Sequence, residues 1–376
     1  MSAIPQTMKA WVQNESSALS IQEVSVPDLK ANQVLVKVQY AAQNPTDWKH
    51  AAALSVPGVI NGCDYAGTVV KVGSGLTASR KVGDRVAGTV HGGYFKDEGS
   101  YAQYAAVESD LTWVVPESIK LEDAATFGVG WVTALQTIIQ HQKHAFPDVE
   151  QVSGNPWYIV YGGSTSVGLF AVQLAKALGY KVLAFASPHS YDLVKSYGAD
   201  ATVDYHNQEE GIAEALKITD GGAEYGLDTI SEGDSFKIIV AALGKKGKQL
   251  NAILPTPKDI KDLNPNLFSE WTLMYTLFGQ EFDWTPRSPG KNIWPASQED
   301  RKFGTEAFKH TPTIIEKFGI KPNPVQVTGG FEDVTNGLEL LKVRHSVQLG
   351  HILLTSRTEQ QAFRYQVCHQ DRCLRI

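Results

Sequence analysis

The stretch WYIVYGGSTSVGLFAVQLAKALGYKVLAFASPHS (residues 157–190) has the pattern of a strand, a helix and a second strand. Its first five residues are aromatic or apolar, and KVLAFA (181–186) is a second apolar run. A strand, a helix and a strand within about 30 residues predict a right-handed parallel crossover, as in dinucleotide-binding sheets. Between the runs, apolar side chains recur at the spacing of one helical face, at Val167, Phe170, Ala171, Leu174 and Leu178.

The turn after the first strand predicts a phosphate-binding site. A pyrophosphate needs backbone N–H groups from a tight turn at a helix N-terminus, where the helix dipole also favours negative charge. Glycines at 162, 163 and 168 allow a tight turn close to the helix, and the hydroxyls between them can donate to phosphate oxygens. The alternative is a glycine-rich turn in a structural unit, since the spacing departs from the standard fingerprint. The predicted cradle consists of Ser164, Thr165, Ser166 and Val167.

The end of the second strand distinguishes the two nicotinamide cofactors. NAD sites usually place Asp or Glu there to bind the ribose 2′-hydroxyl, and that carboxylate would repel the 2′-phosphate of NADP. This chain has Ser187, Pro188, His189 and Ser190 instead, and two hydroxyls with an imidazole suit a phosphate. We therefore predict NADPH as the cofactor, with Tyr205 closing the adenine side. The alternative is a surface turn that binds no ligand.

The rest of the chain predicts an α/β protein with two domains. The first third has short alternating strands, such as QVLVKVQYAAQ (33–43), separated by glycine and proline as in a compact barrel. From residue 121 the period becomes helical, and strands then alternate with helices as in a doubly wound parallel sheet. The predicted boundaries are 1–126 with 305–376 for the β-rich domain, 127–304 for the nucleotide-binding domain, and 255–295 for an irregular insertion within it.

Composition and charge exclude several classes of function. The 376 residues carry a net charge of −6 without a long basic run, so we expect no nucleic-acid partner. No segment approaches the roughly 20 apolar residues of a membrane span, and the N-terminus lacks the apolar core of a signal peptide. We therefore expect a cytoplasmic protein with no membrane partner. The cysteines, Cys63, Cys368 and Cys373, are too few for a disulfide framework.

Several motifs resemble one enzyme superfamily. GDRV (83–86), the β-rich first half, the nucleotide unit and a returning C-terminal strand are similar to the medium-chain dehydrogenase/reductases. More narrowly, NPTDWK (44–49), GGSTS (162–166), SPHS (187–190) and TLFGQEF (276–282) resemble the fungal trans-acting enoyl reductases of the quinone-oxidoreductase branch. The resemblance implies a GroES-like barrel for the β-rich domain and a Rossmann fold for the second domain.

The resemblance also implies roles for individual residues, although each has an ordinary alternative such as capping a turn or packing in a core. One group would line the nicotinamide half of the cofactor, and another would face the substrate. The nicotinamide group consists of Asn44, Pro45, Thr46, Asp47, Thr133, Ile253, Leu254, Val347 and Gln348. The substrate group consists of Thr126, Trp131, Thr276, Phe278 and Gln280.

The zinc-binding residues of related enzymes have no complete counterpart in this sequence. The zinc alcohol dehydrogenases of the superfamily use an early cysteine, a Gly-His-Glu segment and a lobe with four cysteines. This chain has Asn44-Pro45 near the first place and Gly62-Cys63-Asp64 at the second, with no cysteine between Cys63 and Cys368. Neither a catalytic Cys/His site nor a four-cysteine site can be assembled. We therefore predict no metal, and we expect Cys63 to be a small buried residue.

With no metal site predicted, the reaction is expected to be hydride transfer from the nicotinamide of the cofactor. Without a metal to stabilise an alkoxide, an activated alkene is the easier substrate, because hydride addition gives an enolate that hydrogen-bond donors can hold. Lys49 and Tyr65 are the candidate proton donors, with water as the alternative. We predict reduction of the C=C bond of a small apolar unsaturated carbonyl compound or of a carrier-bound acyl chain.

Two other functions remain open at this point. A quinone or alkenal reductase would use the same cofactor and the same metal-free site. A protein of another class, a non-catalytic NADPH-binding sensor or scaffold, would bind the cofactor without turnover. The sequence is compatible with a monomer or a homodimer, and it does not identify the substrate.

Overall fold

The computed structural model describes residues 3–54, 56–257, 260–284 and 292–345, with the short strands at 352–355, 368–369 and 372–373. Two sheets organise the protein: a seven-stranded, mostly antiparallel sheet and a six-stranded parallel sheet. Within the described ranges, no helix is both long enough and apolar enough to cross a membrane.

The first sheet is built around one long strand, β3 (Gln33–Gln43). This strand pairs antiparallel with β4 (Asp64–Val72), β6 (Tyr104–Glu108) and the late strand β17 (Ile352–Thr355). The remaining strands of this part are β1 (Thr7–Gln13), β2 (Leu19–Ser25), β5 (Arg85–Thr89), β7 (Thr112–Val114) and β16 (Gln326–Gly330). The sheet order is β16-β17-β3-β4-β5-β7, with β6 on β3, and β1 and β2 form a separate hairpin.

The parallel sheet begins with β8 (Trp157–Tyr161). Its other strands are β9 (Lys181–Phe185), β10 (Ala201–Val203), β11 (Tyr225–Asp228), β12 (Gln249–Ala252) and β13 (Phe268–Trp271). The order is β10-β9-β8-β11-β12-β13, so the chain turns back at β8 and continues on the other side. Dinucleotides bind at the carboxyl edge of such a sheet, beside the point where the order reverses.

Helices cover both faces of the parallel sheet and the ends of the antiparallel one. The helices are α1 (Pro45–Leu54), α2 (Leu121–Ala124), α3 (Val129–Leu135), α4 (Ser166–Ala177), α5 (Tyr191–Ser196), α6 (Gln208–Ile218), α7 (Ser235–Leu243), α8 (Ile260–Leu263), α9 (Gln298–Phe318) and α10 (Val334–His345). Tighter or wider helical turns lie at Gln136–His141, Pro188–Ser190, Met274–Phe278 and Phe331–Asp333. Two further strand pairs are antiparallel: β14 (Phe282–Asp283) with β15 (Ile293–Trp294), and β18 (Cys368–His369) with β19 (Arg372–Cys373).

The fold class predicted from the sequence is confirmed by the two sheets. The predicted returning strand is β17, which lies antiparallel to β3. The segment 255–295 is less irregular than expected, because β13 joins the parallel sheet through backbone bonds to β12. The predicted boundary at 304/305 falls inside α9, so this helix spans the two predicted domains.

An aromatic cluster around α3 joins the two halves of the protein. The rings of Phe127, Trp131 and Phe170 pack with centroids 5.0 to 5.8 Å apart. All three side chains are buried, and one continuous apolar core reaches from Trp113 on the first sheet to Val182 on the second. The start of α3 is therefore held firmly between the sheets.

Candidate active site

The predicted phosphate cradle lies in the turn between β8 and α4. Thr165 caps α4, since its Oγ1 accepts a 2.9 Å hydrogen bond from the backbone N–H of Gly168. Gly162 has φ +78°, and a side chain there would collide with Thr229. The Thr229 hydroxyl lies 2.8 Å from Thr165 Oγ1 and close to the carbonyls of Tyr161 and Gly162. The first turn of α4 carries no acidic residue, so an anion fits at this N-terminus.

A second contact holds the cradle from the C-terminal part of the chain. The side-chain amide of Asn323 donates to the carbonyl and the hydroxyl of Ser166, at 3.2 and 3.0 Å. The backbone N–H of Asn323 donates to the hydroxyl of Thr126, which itself donates to the Asp123 carbonyl. Thr126 is fully buried in this arrangement, so it supports the cradle instead of presenting its hydroxyl to a substrate.

The end of β9 brings together two of the residues predicted to bind the adenosine phosphate. Ser187 Oγ lies 3.0 Å from the hydroxyl of Tyr205, although the two residues are 18 positions apart. Pro188 and His189 are exposed beside them, and Ser190 is buried. Two adjoining hydroxyls and an exposed imidazole fit a phosphate monoester, and no carboxylate belongs to this group of predicted residues.

The loops after β11 and β12 are tied to each other at the same edge of the sheet. The buried carboxylate of Asp228 accepts hydrogen bonds from the backbone N–H groups of Ile230 and Ser231 at 2.9 and 2.8 Å. Ser231 has a left-handed backbone, with φ 57°, and its hydroxyl accepts from the N–H of Ile253 at 3.0 Å. Ile253 and Leu254 therefore lie on a fixed loop and are half-buried, whereas Val347 and Gln348 lie outside the described residues.

A buried polar network connects the loop before α1 to the start of α3. Asn44 Nδ2 donates to Asp64 Oδ2 at 2.9 Å, and the N–H of Val129 donates to the other oxygen at 2.8 Å. Asp47 accepts from the N–H of Asn44 and from the hydroxyl of Tyr101, both at 2.7 Å. Burial raises the pKa of Asp64 to about 8 and that of Asp47 to about 6. The hydrogen bonds of Asn44 and Asp47 therefore fix the position of the start of α1.

Thr46, in the first turn of α1, is partly exposed and lies at the centre of a hydrogen-bond chain. Its Oγ1 is 3.1 Å from His50 Nε2 and 2.7 Å from the hydroxyl of Tyr275. His50 Nδ1 is 3.0 Å from the carbonyl of Gly92. Tyr275 comes from the segment after β13, so this contact joins the first sheet's domain to the parallel sheet's carboxyl edge.

The two predicted proton donors occupy different environments. Lys49 lies on α1 with its Nζ 3.9 Å from a carboxylate oxygen of Glu232, on the loop after β11, and its side chain is 27% exposed. Tyr65 is fully buried with Val36, Val69 and Val86 in the core of the first sheet. Burial raises the pKa of the Tyr65 hydroxyl well above its ordinary value. The structure therefore brings Lys49 to the interdomain face but not Tyr65.

The residues predicted to face the substrate divide into two groups. Trp131 is fully buried and its indole N–H donates to the hydroxyl of Thr311 at 3.0 Å, so it is a core residue. Thr276 is also buried and accepts from the amide of Gln136 at 3.0 Å. Phe278 and Gln280 are half-buried at the end of the same segment. Thr133, which was predicted to line the nicotinamide half of the cofactor, lies on α3 and is almost completely buried, with 5% of its surface exposed.

An aromatic layer that the sequence patterns did not reveal surrounds Tyr275. The ring of His91 stacks on Tyr275, with centroids 4.0 Å apart, and on Tyr94 at 5.1 Å. The ring of Trp284 packs on Tyr275 at 5.8 Å and edge-on against His50 at 5.3 Å. These residues come from three distant segments, so no local spacing could have predicted that their rings pack together. The only signal in the sequence is the apolar content of residues 271–278.

The side chains that could ligate a metal do not cluster in the described part of the chain. Among the residues that the structure describes, no group of three or more His, Cys, Asp or Glu side chains could hold a metal ion. Cys63 is buried, as expected, with its Sγ 3.5 Å from the hydroxyl of Tyr275. Burial raises the pKa of this thiol well above its usual range.

Two family models match the chain. Residues 30–117 match the alcohol dehydrogenase GroES-like domain, and residues 166–287 match the zinc-binding dehydrogenase family. The first match covers most of the antiparallel sheet and the second covers the parallel sheet from α4 onward. The first match includes Thr46 and the second includes Tyr275.

Individual proteins resemble the chain over most of its length. The trans-enoyl reductase ACTTS2 of Alternaria alternata is 38% identical over 89% of this chain and 95% of its own length. The structure of the CurK enoyl reductase matches with a TM-score of 0.72 and 18% identity, covering 93% of this chain and 99% of that one. A mycobacterial protein solved in complex with NADPH matches with a TM-score of 0.69 and 19% identity, covering 93% and 99%.

Proposed function

We propose that this chain, which belongs to the trans-enoyl reductases of the medium-chain dehydrogenase/reductase superfamily, reduces the C=C bond of an α,β-unsaturated carbonyl compound with NADPH. The observation that carries the proposal is the meeting of three elements at the carboxyl edge of the parallel sheet. The start of α1, the start of α3 and the segment after β13 converge there, because Asp64 joins Asn44 to Val129 and Tyr275 contacts Thr46. A nicotinamide ring at this edge would lie between the two domains.

The proposed cofactor site extends along this edge of the sheet. The cradle at Thr165 and Ser166 would hold the pyrophosphate, while Ser187 and Tyr205 would hold the adenosine phosphate with their adjoining hydroxyls. The loop containing Ile253 would cover the nicotinamide side. When bound, NADPH supplies the hydride, and the residues described here orient it and exclude water. We propose that this chemistry requires no zinc.

The proposed substrate is an apolar acyl chain attached as a thioester. The half-buried ring of Phe278 stacks in the aromatic layer, with centroids 6.1 Å from His91 and 6.5 Å from Tyr275. Such a surface can bind the methylene groups of an acyl chain. Since the relatives are trans-enoyl reductases, we propose that a carrier protein of a polyketide synthase delivers this chain.

The proposed proton donor for the α-carbon is Lys49. Its side chain is 27% exposed at the interdomain face, and Lys49 lies on α1 three residues after Thr46. The nearest carboxylate oxygen of Glu232, on the loop after β11, is 3.9 Å from this Nζ. Tyr65 receives no role, because its hydroxyl is enclosed in the core of the first sheet.

The reaction can be tested with NADPH deuterated at the transferred position and an enoyl thioester. The label should appear at the β-carbon of the saturated product. Label on a carbinol carbon would show carbonyl reduction, and turnover confined to quinones would assign the protein to the quinone reductases. Cofactor binding without turnover on any of these substrates would indicate the non-catalytic alternative.

A further inference from the structure

Thr46 is the one polar side chain of its hydrogen-bond chain that is partly exposed, while its partners His50 and Tyr275 are buried. A threonine hydroxyl has one proton to donate and two lone pairs that accept. The contacts of Thr46 Oγ1 with His50 Nε2 at 3.1 Å and Tyr275 Oη at 2.7 Å use two of these three positions. The direction of each hydrogen bond therefore decides what remains for a ligand.

The carbonyl of Gly92 determines the tautomer of His50. A carbonyl only accepts, so Nδ1, which lies 3.0 Å from it, carries a proton, and in the neutral form of the imidazole that is the only ring proton. Nε2 is then an acceptor, and Thr46 must donate its proton to it. This leaves no proton on Thr46 for its contact with Tyr275, so the tyrosine hydroxyl donates there.

The surroundings of Tyr275 support this assignment. Its ring is enclosed by His91, Trp284 and Phe278, and burial raises the pKa of its hydroxyl well above the ordinary value. The hydroxyl therefore keeps its proton and remains a donor. His50 then accepts the proton of Thr46, and Tyr275 donates its own proton to one of the two lone pairs on Thr46 Oγ1.

We infer that His50 and Tyr275 are positioning residues that hold the Thr46 hydroxyl with its proton on His50, so that Thr46 offers only a lone pair to a ligand. Resting on the proposed function, this means that Thr46 accepts a hydrogen bond from a donor on the nicotinamide half of the cofactor, a hydroxyl or an amide N–H. Thr46 does not donate to the enolate oxygen formed in the reaction. The enolate must therefore take its hydrogen bonds from other groups.

The direct test is the tautomer of His50 in the full-length protein, measured by nitrogen NMR of ¹⁵N-histidine-labelled protein without cofactor. The signal is assigned by its loss in His50→Gln. We expect a neutral ring protonated at Nδ1, with the Nε2 shift moving in Thr46→Val because that nitrogen loses its donor. A ring protonated at Nε2 would overturn the inference. This experiment does not depend on NADPH binding, so it separates failure of the inference from failure of the proposed function.

The consequence for binding is tested by a double-mutant cycle on NADPH affinity. Thr46→Val should raise the Kd for NADPH about 3- to 10-fold, which is the usual effect of losing one hydrogen bond. The kcat at saturating NADPH should fall by a smaller factor. His50→Leu should raise the Kd as well, and His50→Gln, whose carbonyl can accept the Thr46 proton, should lose less. In Thr46→Val, adding His50→Leu should cause no further loss. Additive effects, or a loss in kcat with unchanged Kd, would contradict the inference. Thermal unfolding of each variant identifies any that fail to fold.

Discussion

Asn44 and Asp64 form a fully buried hydrogen bond of 2.9 Å that links the loop before α1 to β4. The same carboxyl group accepts from the N–H of Val129 at 2.8 Å, so one side chain joins the first sheet to the helix that packs against α4. Because burial raises the pKa of Asp64 to about 8, this junction is mostly uncharged near neutral pH. The position of Asn44 relative to α3 therefore depends on a single carboxyl group.

Gly128→Ala should disrupt this junction. A methyl group at Gly128 would overlap the carboxyl group of Asp64, and α3 would have to move. Overpacking of this kind typically costs about 1 to 3 kcal/mol in the free energy of unfolding. Urea unfolding should show that loss, together with a lower kcat. Gly75→Ala is the matched control, because a methyl there meets its neighbours at ordinary van der Waals distances; equal losses in both variants would refute the role of Asp64.

Asp64 should make the protein less stable as the pH rises. Its pKa is 3.8 in an ordinary environment and about 8 in the folded protein, so the folded state binds more protons between these values. The free energy of unfolding should therefore fall by about 1 kcal/mol between about pH 6.5 and about pH 7.5. Asp64→Asn should remove this contribution while other titrating groups still act in both proteins. The free energy of unfolding is measured by urea unfolding at several pH values. If it changes with pH equally in the unaltered protein and in Asp64→Asn, Asp64 does not titrate in this pH range.

Ser187→Asp should weaken NADPH binding by about tenfold or more, because a carboxylate would face the 2′-phosphate. Tyr205→Phe should cause a smaller loss, about 3- to 10-fold, since it removes one hydroxyl from the pair. Isothermal titration with NADPH and NADH measures both effects. Ser74→Asp introduces the same charge at an exposed position in the other domain and should leave both affinities unchanged. If the unaltered protein binds NADH as tightly as NADPH, the assignment of this site is wrong.

Phe278→Ala should change the preference among acyl chain lengths more than the affinity for NADPH. The ring belongs to the aromatic layer, whereas the phosphate cradle at Thr165 lies elsewhere on the sheet edge. We expect kcat/KM for medium-length enoyl thioesters to fall about 10-fold relative to short ones. Phe268→Ala, at a phenylalanine that is 56% exposed on β13, serves as the control. An equal effect in the control would mean that Phe278 does not contact the acyl chain.

Lys49→Met should lower kcat by about 100-fold if the ammonium group donates the α-carbon proton. Glu232→Gln removes the partner 3.9 Å away but leaves the ammonium, so its effect should be much smaller. Single-turnover experiments with a chromophoric enoyl thioester separate this step from product release. Unchanged turnover in Lys49→Met would assign the proton to water.

Much of the nucleotide-binding unit could be predicted from the sequence. The bounds of β8, Trp157–Tyr161, match the predicted strand, and Thr165 caps the predicted helix. Both features depend on residues that are close together in the chain, where periodicity and turn chemistry act directly. The same is true of β3, whose alternating pattern predicted the whole strand.

Only the tertiary structure decided which predicted residues are buried in the core and which remain partly exposed. Trp131 and Phe278 are both large aromatic residues in apolar segments, yet the first is fully buried and the second is half-buried. Thr46 contacts Tyr275, which lies 229 positions later in the chain, and no pattern in either segment predicts this contact. Local sequence determines which side chains share a face of a strand or helix, but the packing of the two sheets determines what that face meets.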